Sequence, residues 1–400
     1  MEKILFQLQD LVKNKQSAIN DWFSTKFTAT EPFIYNSVDI RHSGFKITQV
    51  DTNIFPAGFN NLSEQAQDRA TTEFKNCLSS DIQKVLIITE FHTRNLGYLN
   101  NVHILKTIIE KAGRQVELGS FHPEFNEKLE LEDSQGNALT LHPLERKEDK
   151  IVIANDFVPD LIIVNNDLTS GSPEILKDIS QKISPPTGMG WYRRTKYDHF
   201  QSYNTIANEF AKEFNIESFL ISTELGFCKK VNFKERKGLE CIAIEAEKTL
   251  SRIREKYQQY SIEREPYVYI KANRGTYGMG IMSIKDANEV FEINKKTRNK
   301  MNTIKSNTPN AEILIQEGIE TIDTHNGAPC EPFIYIVNGN PVGTILRVNS
   351  AKDTQSNLNS TGAEFVSADD ISEFNDKFPI YSIVAKLAAL AAKSEEYNND

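Results

Sequence analysis

The sequence predicts an α/β protein with α+β character in its C-terminal part. Two uninterrupted apolar runs, 84–90 and 160–166, have the composition of strands buried on both faces of a parallel sheet. The segment 101–113 between them has helical periodicity and ends in glycine. Further along, 332–347 predicts an antiparallel hairpin across Asn338-Gly339, one of the strongest short turn signals. These observations together indicate an α/β domain followed by a region with antiparallel strands.

Composition limits the possible partners. The chain has 400 residues, 39% of them hydrophobic, which is enough for two or three packed domains. Its net charge of -9 argues against a nucleic-acid partner, which needs a basic surface. No apolar run approaches a membrane span, and the N-terminus lacks the apolar core of a signal peptide. We therefore expect a soluble cytoplasmic protein that binds neither nucleic acid nor membrane, with homo-oligomerisation left open.

The cysteines and histidines give no metal signature. Cys77, Cys228, Cys241 and Cys330 are far apart and form neither a CxxC pair nor a regular framework. The seven histidines show no HExxH or similar spacing. We expect reduced, structural thiols and no zinc site.

The N-terminal part combines a helix with a polar segment. Residues 1–27 have helical periodicity and predict a helix that packs on the body of the protein. The stretch 37–62 is interpreted as a long polar loop with aromatic anchors, which is unusual in a compact domain unless it binds a ligand. A solvated surface loop is the alternative. The candidate binding residues in this stretch are Asp39, Arg41, Lys46, Asp51, Asn53, Asn60 and Asn61.

Polar residues follow both buried strands. Because ligands of open α/β sheets bind at the carboxyl ends of the strands, the segment with Glu90, Arg94 and Asn95 is one candidate and 165–167 is the other.

A Pro/Gly-rich break at 184–190 predicts a domain boundary, with one domain over 1–183 and another over 184–400. A basic segment follows it, either as the basic face of a helix start or as an anion site, and its charged residues are Arg193, Arg194, Lys196 and His199.

A glycine-bearing segment, 267–284, predicts a strand, a loop and a second strand. Glycines let a backbone turn sharply and bring its N–H groups close to an anion, and Lys271 adds a point positive charge. The loop is followed by neither Lys-Ser/Thr nor a helix, so it is neither a P-loop nor a dinucleotide fingerprint. A hairpin whose glycines only serve the turn is the alternative.

The same rules predict the remaining elements. Helices are expected over 201–215, 239–260, 286–302 and 378–393, a strand over 312–319, and a long polar loop over 348–364.

Four segments resemble, in the same order, the nucleotide site of ATP-grasp ligases such as bacterial glutathione synthetase. They are the lysine and glycine flap at 270–281, the hinge at 314–319, the hairpin at 333–347 and the glycine-containing loop at 357–362. The segments 39–46, 50–62 and 90–95 narrow the resemblance to the bacterial ATP-grasp type of glutamate-cysteine ligase. This resemblance implies an ATP-grasp fold in 184–400, preceded by an open α/β pre-ATP-grasp domain that binds substrate in 1–183.

The resemblance implies ATP-dependent joining of the L-glutamate γ-carboxylate to the L-cysteine amine through an acyl phosphate, the first step of glutathione synthesis. Two alternatives stay open. One is another ATP-grasp carboxylate-amine ligase with a different amine substrate. The other is a catalytically silent regulator that binds a nucleotide or an amino acid.

The resemblance also implies residue roles. Lys271 would hold the phosphates and Arg347 would stabilise the acyl phosphate. The α-carboxylates of the two substrates favour arginine, and Asp39 or Asp51 would receive an ammonium group. The ATP-binding candidates are Lys271, Gly275, Thr276, Tyr277, Gly278, Gly280, Gln316, Glu317, Ile319 and Glu320; the arginine candidates are Arg41, Arg94, Arg193 and Arg194.

The chain departs from the family pattern at the metal. ATP-grasp enzymes usually place their Mg²⁺ ligands in an acidic strand ending Glu-x-Asn after the glycine-containing loop, and no such strand is visible after 362. The usual first lysine of the nucleotide site also has no clear counterpart before 267. Mg²⁺ needs few protein ligands. The nearest oxygen donors in sequence are Glu331, Asn349, Asn357 and Asn359.

Overall fold

The computed structural model describes residues 2–154, 156–274, 280–302 and 311–397. Within them the helices are α1 (Glu2–Ala29), α2 (Glu64–Cys77), α3 (Leu96–Lys111), α4 (Lys196–Phe214), α5 (Leu239–Gln259), α6 (Glu289–Glu292), α7 (Lys295–Asn302) and α8 (Ser372–Tyr397). None of these described helices is both long and apolar enough to cross a membrane.

The strands of the first 165 residues are β1 (Tyr35–His42), β2 (Ile47–Asn53), β3 (Lys84–Thr89), β4 (Gln115–Ser120), β5 (Leu129–Glu132), β6 (Ala138–Pro143), β7 (Glu145–Lys147), β8 (Lys150–Val152) and β9 (Leu161–Asn165). Those of the remainder are β10 (Lys182–Ser184), β11 (Leu225–Val231), β12 (Val268–Ala272), β13 (Ile281–Ile284), β14 (Ala311–Glu317), β15 (Thr324–His325), β16 (Ala328–Val337), β17 (Asn340–Val348) and β18 (Glu364–Ser367).

Three sheets organise the described fold. The central sheet has the order β18-β17-β16-β1-β2, with β15 paired to β16. The N-terminal sheet has the order β10-β9-β3-β4-β6-β5, and the small sheet has the order β11-β14-β12-β13. In the N-terminal sheet β3 pairs in parallel with both β4 and β9, and α3 connects β3 to β4. The predicted α/β class is thereby confirmed, with antiparallel pairing in the central and small sheets.

The predicted hairpin is also confirmed. β16 and β17 pair antiparallel across Asn338 and Gly339, whose φ angles of 52° and 74° are the positive values that a tight hairpin turn requires. The single helix expected over 286–302 is instead two helices, α6 and α7.

The interpretation of 37–62 as one long polar loop is wrong, because most of β1 and all of β2 lie within it. β1 pairs antiparallel with β16, so that Asp39 stands opposite Phe333. Val38 and Ile40 are fully buried in a core with α8, whereas Asp39 and its neighbours of the same parity face the other side of the sheet. The sequence of β1 and β2 resembles a loop because their polar face is covered by protein, so it lacks the simple alternation of a strand with one face in solvent. The boundary at 183 stays a prediction, although β1 and β2 belong to the sheet of the C-terminal half.

The two faces of the central sheet have different covers. One face packs Ile40, Ile334 and Leu346 against α1, α4 and α8. On the other face, Tyr35 and Tyr335 join the core of the N-terminal sheet with α2 and α3. The rest of that second face is polar and lies beneath the small sheet. Arg41 Nη1 on this polar face donates to Tyr269 Oη of the small sheet at 3.3 Å, and the region between the central sheet and the small sheet is called the cleft below.

Two cysteines differ from expectation. Cys228 on β11 and Cys241 on α5 are paired as a disulfide, with Cα atoms 6.2 Å apart. The expectation of four reduced thiols is wrong for this pair, which the packing of α5 on β11 brings together. Cys77 and Cys330 are free thiols.

The first prediction tests the place of β1 in the core. Ile40→Ala removes a fully buried side chain and should lower the free energy of unfolding by about 2–5 kcal/mol, through lost burial and the cavity left behind. Ile244→Ala is the matched control, because Ile244 is 56% exposed and should cost less than about 0.5 kcal/mol. Denaturant unfolding followed by fluorescence measures both. Equal losses of unfolding free energy in the two variants would contradict the placement of β1 in the core.

Candidate active site

A cluster of charged side chains occupies the polar face of the central sheet. Arg41 on β1 donates from Nε to Glu331 Oε2 at 2.6 Å, and Arg347 on β17 donates from Nη1 to Glu331 Oε1 at 2.6 Å. The same Arg347 nitrogen reaches Asp39 Oδ2 at 2.7 Å. Arg41 and Glu331 are each 3% exposed, and Arg347 is 7% exposed. The Glu331 carboxylate is therefore shared between two buried guanidinium groups.

Burial and the neighbouring charges shift the pKa values of Glu331 and Asp39 in opposite directions. Burial opposes ionisation of Glu331, but Arg41 and Arg347 outweigh it and hold its pKa below the ordinary value. For Asp39, burial prevails over the charge of Arg347, and the negative charges of Glu331 and Asp51 raise its pKa further. Three carboxyl groups therefore lie close enough to repel one another. A cation beside them would lower the energy of the ionised state.

Two lysines approach the same region from other elements. Lys271, on β12 of the small sheet, donates from Nζ to Gln316 Oε1 at 2.8 Å and to the Val50 carbonyl at 3.5 Å. Lys196, the first residue of α4, donates to Asp51 Oδ1 at 2.7 Å. Burial lowers the pKa of Lys271 to about 8, although Asp51 favours its charged form. In the sequence, Lys196 belongs to a candidate anion site at a helix start, but only the arginines of this basic segment are predicted to be substrate ligands.

The predicted hinge is built around a buried ion pair. Lys46, at the tip of the β1–β2 hairpin and 1% exposed, donates to Glu317 Oε1 and Oε2 at 2.8 and 2.7 Å. Because Glu317 is satisfied by Lys46, its carboxylate is fixed within the protein. Glu320 forms an ion pair with Arg264 at 3.0 Å. A polar cavity of about 420 Å³ opens beside Lys46, between α4 and the start of β11.

Among the described residues, two buried nitrogens of the cleft lack a hydrogen-bond acceptor. They are Gln316 Nε2 and Arg347 Nε. Unsatisfied buried donors are costly, so a ligand with acceptor atoms would be stabilised here.

The loop between β17 and β18 crosses the cleft. Arg41 donates to the Ser356 carbonyl at 2.6 Å and to the Ile319 carbonyl at 3.0 Å. Tyr269 Oη donates to the Gln355 carbonyl. Arg41 therefore links the charged cluster, the hinge and this loop.

Two of the four predicted metal donors, Asn349 and Asn357, use their side-chain oxygens in local structure, and the side chain of Asn359 is exposed. Asn349 is fully buried and donates to the Leu358 carbonyl at 3.2 Å, while its Oδ1 accepts from the Ala351 N–H. Asn357 Oδ1 accepts the Asn359 N–H at 3.0 Å. Of the predicted set, Glu331 lies in the charged cluster. In the part of the chain that the structure describes, no three His, Cys, Asp or Glu side chains form a ready-made metal site.

Several predicted substrate residues are also used locally. Asn95 caps the N-terminus of α3, and Glu90 Oε1 accepts a backbone N–H from the turn after β9 at 2.8 Å. Asn53 bonds the backbone of its own turn, and Asn60 donates to Asn61 at 3.3 Å.

The remaining predicted arginines divide into two kinds. Arg94 and Arg193 are exposed. Arg194 is 1% exposed and donates to Glu395 and to the Thr52 carbonyl. These contacts occupy the guanidinium group of Arg194 and keep it away from a substrate.

The glycine loop is only partly described. Gly280 has a φ of 66°, and its carbonyl accepts the Ala272 N–H at 3.3 Å, which closes the hairpin of β12 and β13. The other predicted residues of this loop lie outside the described residues; they are Gly275, Thr276, Tyr277 and Gly278.

The chain is similar to known proteins over nearly its whole length. Residues 9–396 match the family model GshA, glutamate-cysteine ligase. A solved structure from Methylobacillus flagellatus KT, described as a gamma-glutamylcysteine synthetase, is 34% identical with a TM-score of 0.89. That similarity covers 100% of this chain and 97% of the other. No curated protein matches the chain.

Two more distant structures carry no argument about function. A glutathione synthetase-like effector from Globodera pallida is 9% identical with a TM-score of 0.39, covering 91% of this chain and 80% of its own. D-alanyl-alanine synthetase A from Vibrio cholerae is 8% identical with a TM-score of 0.35, covering 75% and 81%.

The second prediction concerns the shared carboxylate. Glu331→Ala removes a buried partner of Arg41 and Arg347 and should lower the free energy of unfolding by about 3–5 kcal/mol, because buried guanidinium charge is left uncompensated. The control is Glu209→Ala, which breaks an ion pair with Lys26 whose side chains are 50% and 39% exposed. It should cost about 1 kcal/mol or less. Similar losses in the two variants, measured by denaturant unfolding, would contradict the cluster's structural role.

Proposed function

This chain belongs to the glutamate-cysteine ligase family, and from that premise we propose how its residues carry out the ligation. It is a ligase that joins glutamate to cysteine. The proposal is that the small sheet and the central sheet form an ATP-grasp cleft and that the nucleotide binds between them. The observation that carries it is the convergence of Lys271, Lys196 and the carboxylate–arginine cluster in this one enclosed space.

The chemistry requires charge neutralisation and positioning. A carboxylate is a poor electrophile, so the γ-carboxylate of glutamate first takes the terminal phosphoryl group of ATP. The cysteine amine then attacks the acyl carbon and phosphate leaves. Little covalent chemistry is left to the protein, whose contribution is to align the reactants and stabilise the developing negative charge. Buried, fixed cations suit this task because they need no reorganisation.

We assign the phosphates to the two lysines. Lys271 comes from the small sheet and Lys196 from the start of α4, so they would hold the polyphosphate from two sides. The Gln316 side chain, whose Nε2 is buried without an acceptor, adds a donor next to Lys271. Adenine would bind the backbone of 316–319, and Glu320 would bind the ribose hydroxyls.

Mg²⁺ would be held in the cleft by one or two carboxylates together with the phosphates of the nucleotide, as is usual for this ion. Asp39, Asp51 and Glu331 are the candidates, although the described residues form no ready-made site of three such ligands. The pKa of Asp39 is raised by burial and then by Glu331 and Asp51, so a cation beside Asp39 would favour its ionised form. When bound, the metal would neutralise phosphate charge. Asn349 and Asn357 are left out of this set because their side-chain oxygens accept hydrogen bonds within their own loop, and Asn359 is left out because its side chain is exposed.

Arg347 is the proposed group that stabilises the acyl phosphate. Its Nη1 is held by Asp39 and Glu331, while its Nε is buried without an acceptor. The fixed end orients the guanidinium group and the free Nε–H can meet a phosphoryl oxygen. The exposed Arg94 and Arg193 remain candidates for the substrate α-carboxylates, whereas Arg194 is withdrawn because its contacts are internal.

The third prediction is the activity itself. Purified protein given ATP, Mg²⁺, L-glutamate and L-cysteine should release ADP and form γ-glutamylcysteine in equal amounts, measured by a coupled ADP assay and mass spectrometry. A panel of other amino acids in place of cysteine tests the rival ligase. ADP release without γ-glutamylcysteine would sink the proposal, and ATP binding with no turnover for any amine would favour a silent regulator.

The fourth prediction follows from Lys271. Its pKa is lowered to about 8, mainly by burial, so the charged form dominates at pH 7 and is lost as the pH rises. ATP affinity should fall by about tenfold between pH 7 and pH 9, because about nine in ten side chains are neutral one unit above the pKa. Isothermal titration calorimetry measures the dissociation constant.

Two variants sharpen this test. Lys271→Arg keeps its charge over this range and should show a flat profile, whereas Lys271→Met should bind weakly at every pH. The exposed Lys285→Met should behave as wild type. A flat wild-type profile would remove Lys271 from phosphate binding.

A further inference from the structure

A fully buried ionic network lies behind the proposed phosphate site. Glu395, near the end of α8, accepts from Arg194 Nε at 2.9 Å and from Arg194 Nη2 at 3.1 Å. The same carboxylate is 2.5 Å from His199 Nδ1 on α4. Arg194 and Glu395 are each 1% exposed and His199 is 2% exposed. The start of α4 and the end of α8 are therefore joined by charge inside the protein.

This network holds β2 at both ends of a short segment. Arg194 Nη1 donates to the Thr52 carbonyl at 2.7 Å, and His199 Nε2 is 3.1 Å from Gln49 Oε1. Thr52 Oγ1 donates to the same Gln49 oxygen at 2.7 Å. Glu395 is thus connected to β2 through Arg194, which contacts the backbone, and through His199, which contacts a side chain.

The segment held in this way contains a bulge. In the pairing of β1 with β2, Asp51 stands opposite Asp39 and Gln49 stands opposite Ile40, so Val50 is the extra residue. Gln49 consequently faces the helices, whereas Asp51 faces the charged cluster. The freed Val50 carbonyl points to Lys271 Nζ. Without the bulge, the strict alternation of a strand would send Gln49 and Asp51 to the same face.

The network also fixes the position of Lys196. Lys196 lies between Arg194 and His199 in sequence and is the first residue of α4, where Thr195 caps the helix by accepting the Asp198 N–H. Its Nζ binds Asp51 at 2.7 Å. The contacts of one carboxylate therefore determine both partners of the Lys196–Asp51 pair.

Stability alone is a poor reason for such a network. Removing ions from water is costly, and a well-packed apolar set of similar volume is often equally stable. The pKa of Glu395 is nevertheless held below its ordinary value, since Arg194 and His199 outweigh burial. The arrangement keeps a full charge in the interior, directed at the strand that carries Asp51.

We propose that Glu395 is a positioning residue, which through Arg194 and His199 holds the β2 bulge and the start of α4 so that Asp51 orients Lys196 toward the nucleotide phosphates. This inference rests on the proposed nucleotide site. It assigns a role in the reaction to a residue only a few positions from the chain end.

The test is Glu395→Gln, which keeps the shape and removes the charge. The dissociation constant for ATP, measured by calorimetry without turnover, should rise about tenfold, and kcat should fall by a similar factor. The KM for cysteine should stay within twofold, whereas the thermal midpoint should fall, because the buried guanidinium group of Arg194 loses its charged partner. This split between ATP and cysteine is the result that a merely structural role would not give.

Two variants of His199 test whether the effect of Glu395 on β2 is transmitted through this histidine. His199→Asn can keep the contact with Glu395 but cannot reach Gln49, and it should reproduce the loss of ATP affinity. His199→Gln can reach Gln49 and should retain more affinity than His199→Asn. The control Glu209→Gln removes a half-exposed carboxylate and should match wild type.

Each outcome decides the question. If Glu395→Gln lowers the thermal midpoint while the folded protein binds ATP as wild type does, the network is only structural and the inference fails; unchanged values throughout also overturn it. If the variant does not fold, Thr52→Val decides, because it removes one hydrogen bond of the network and should weaken ATP binding about twofold to threefold. Wild-type protein that lacks ligase activity would overturn the proposed function, whereas active wild type with an unaffected Glu395→Gln would overturn this inference alone.

Discussion

The sharing of the Glu331 carboxylate between Arg41 and Arg347 is the interaction on which the site depends. Each charge lies inside the protein and is tolerable only because the others are there. The cluster requires β1, β16 and β17 to be in one register, since each strand contributes a member. Arg41 extends the constraint to the hinge and the crossing loop through the Ile319 and Ser356 carbonyls. The geometry of the cleft is therefore set by the central sheet.

Much of the fold was accessible from local pattern. Buried strand runs identified the parallel sheet, and Asn338-Gly339 identified the hairpin, because apolar continuity and positive φ angles are properties of short segments. Lys271 of the glycine segment lies on the small sheet and Arg347 of that hairpin lies on the central sheet. Local sequence patterns could not show which other strand or helix each element packs against.

The missed features all join distant parts of the chain. β1 and β2 lack a simple solvent-facing alternation because their polar face is covered, so they looked like loop. Arg194 resembled a substrate ligand because its partner Glu395 is distant in the sequence and cannot be inferred from neighbouring residues. The family pattern places acidic metal ligands after residue 362, whereas the carboxylates that lie near Glu331 are Asp39 and Asp51, from the opposite end of the chain. A strand's place in a sheet is independent of its place in the sequence, and no window of residues reveals it.

The insertion of β1 beside β16 has a consequence for biosynthesis. Arg41 and Glu331 are 290 positions apart in the chain, so a ribosome must complete most of the polypeptide before the central sheet can close. Until then β1 and β2 are strands without a neighbour on one side, and unpaired strand edges in partly folded chains are prone to aggregate. The parallel N-terminal sheet can form earlier, because its strands come from nearby sequence. A nascent chain therefore has no assembled charged cluster until β16 and β17 have emerged.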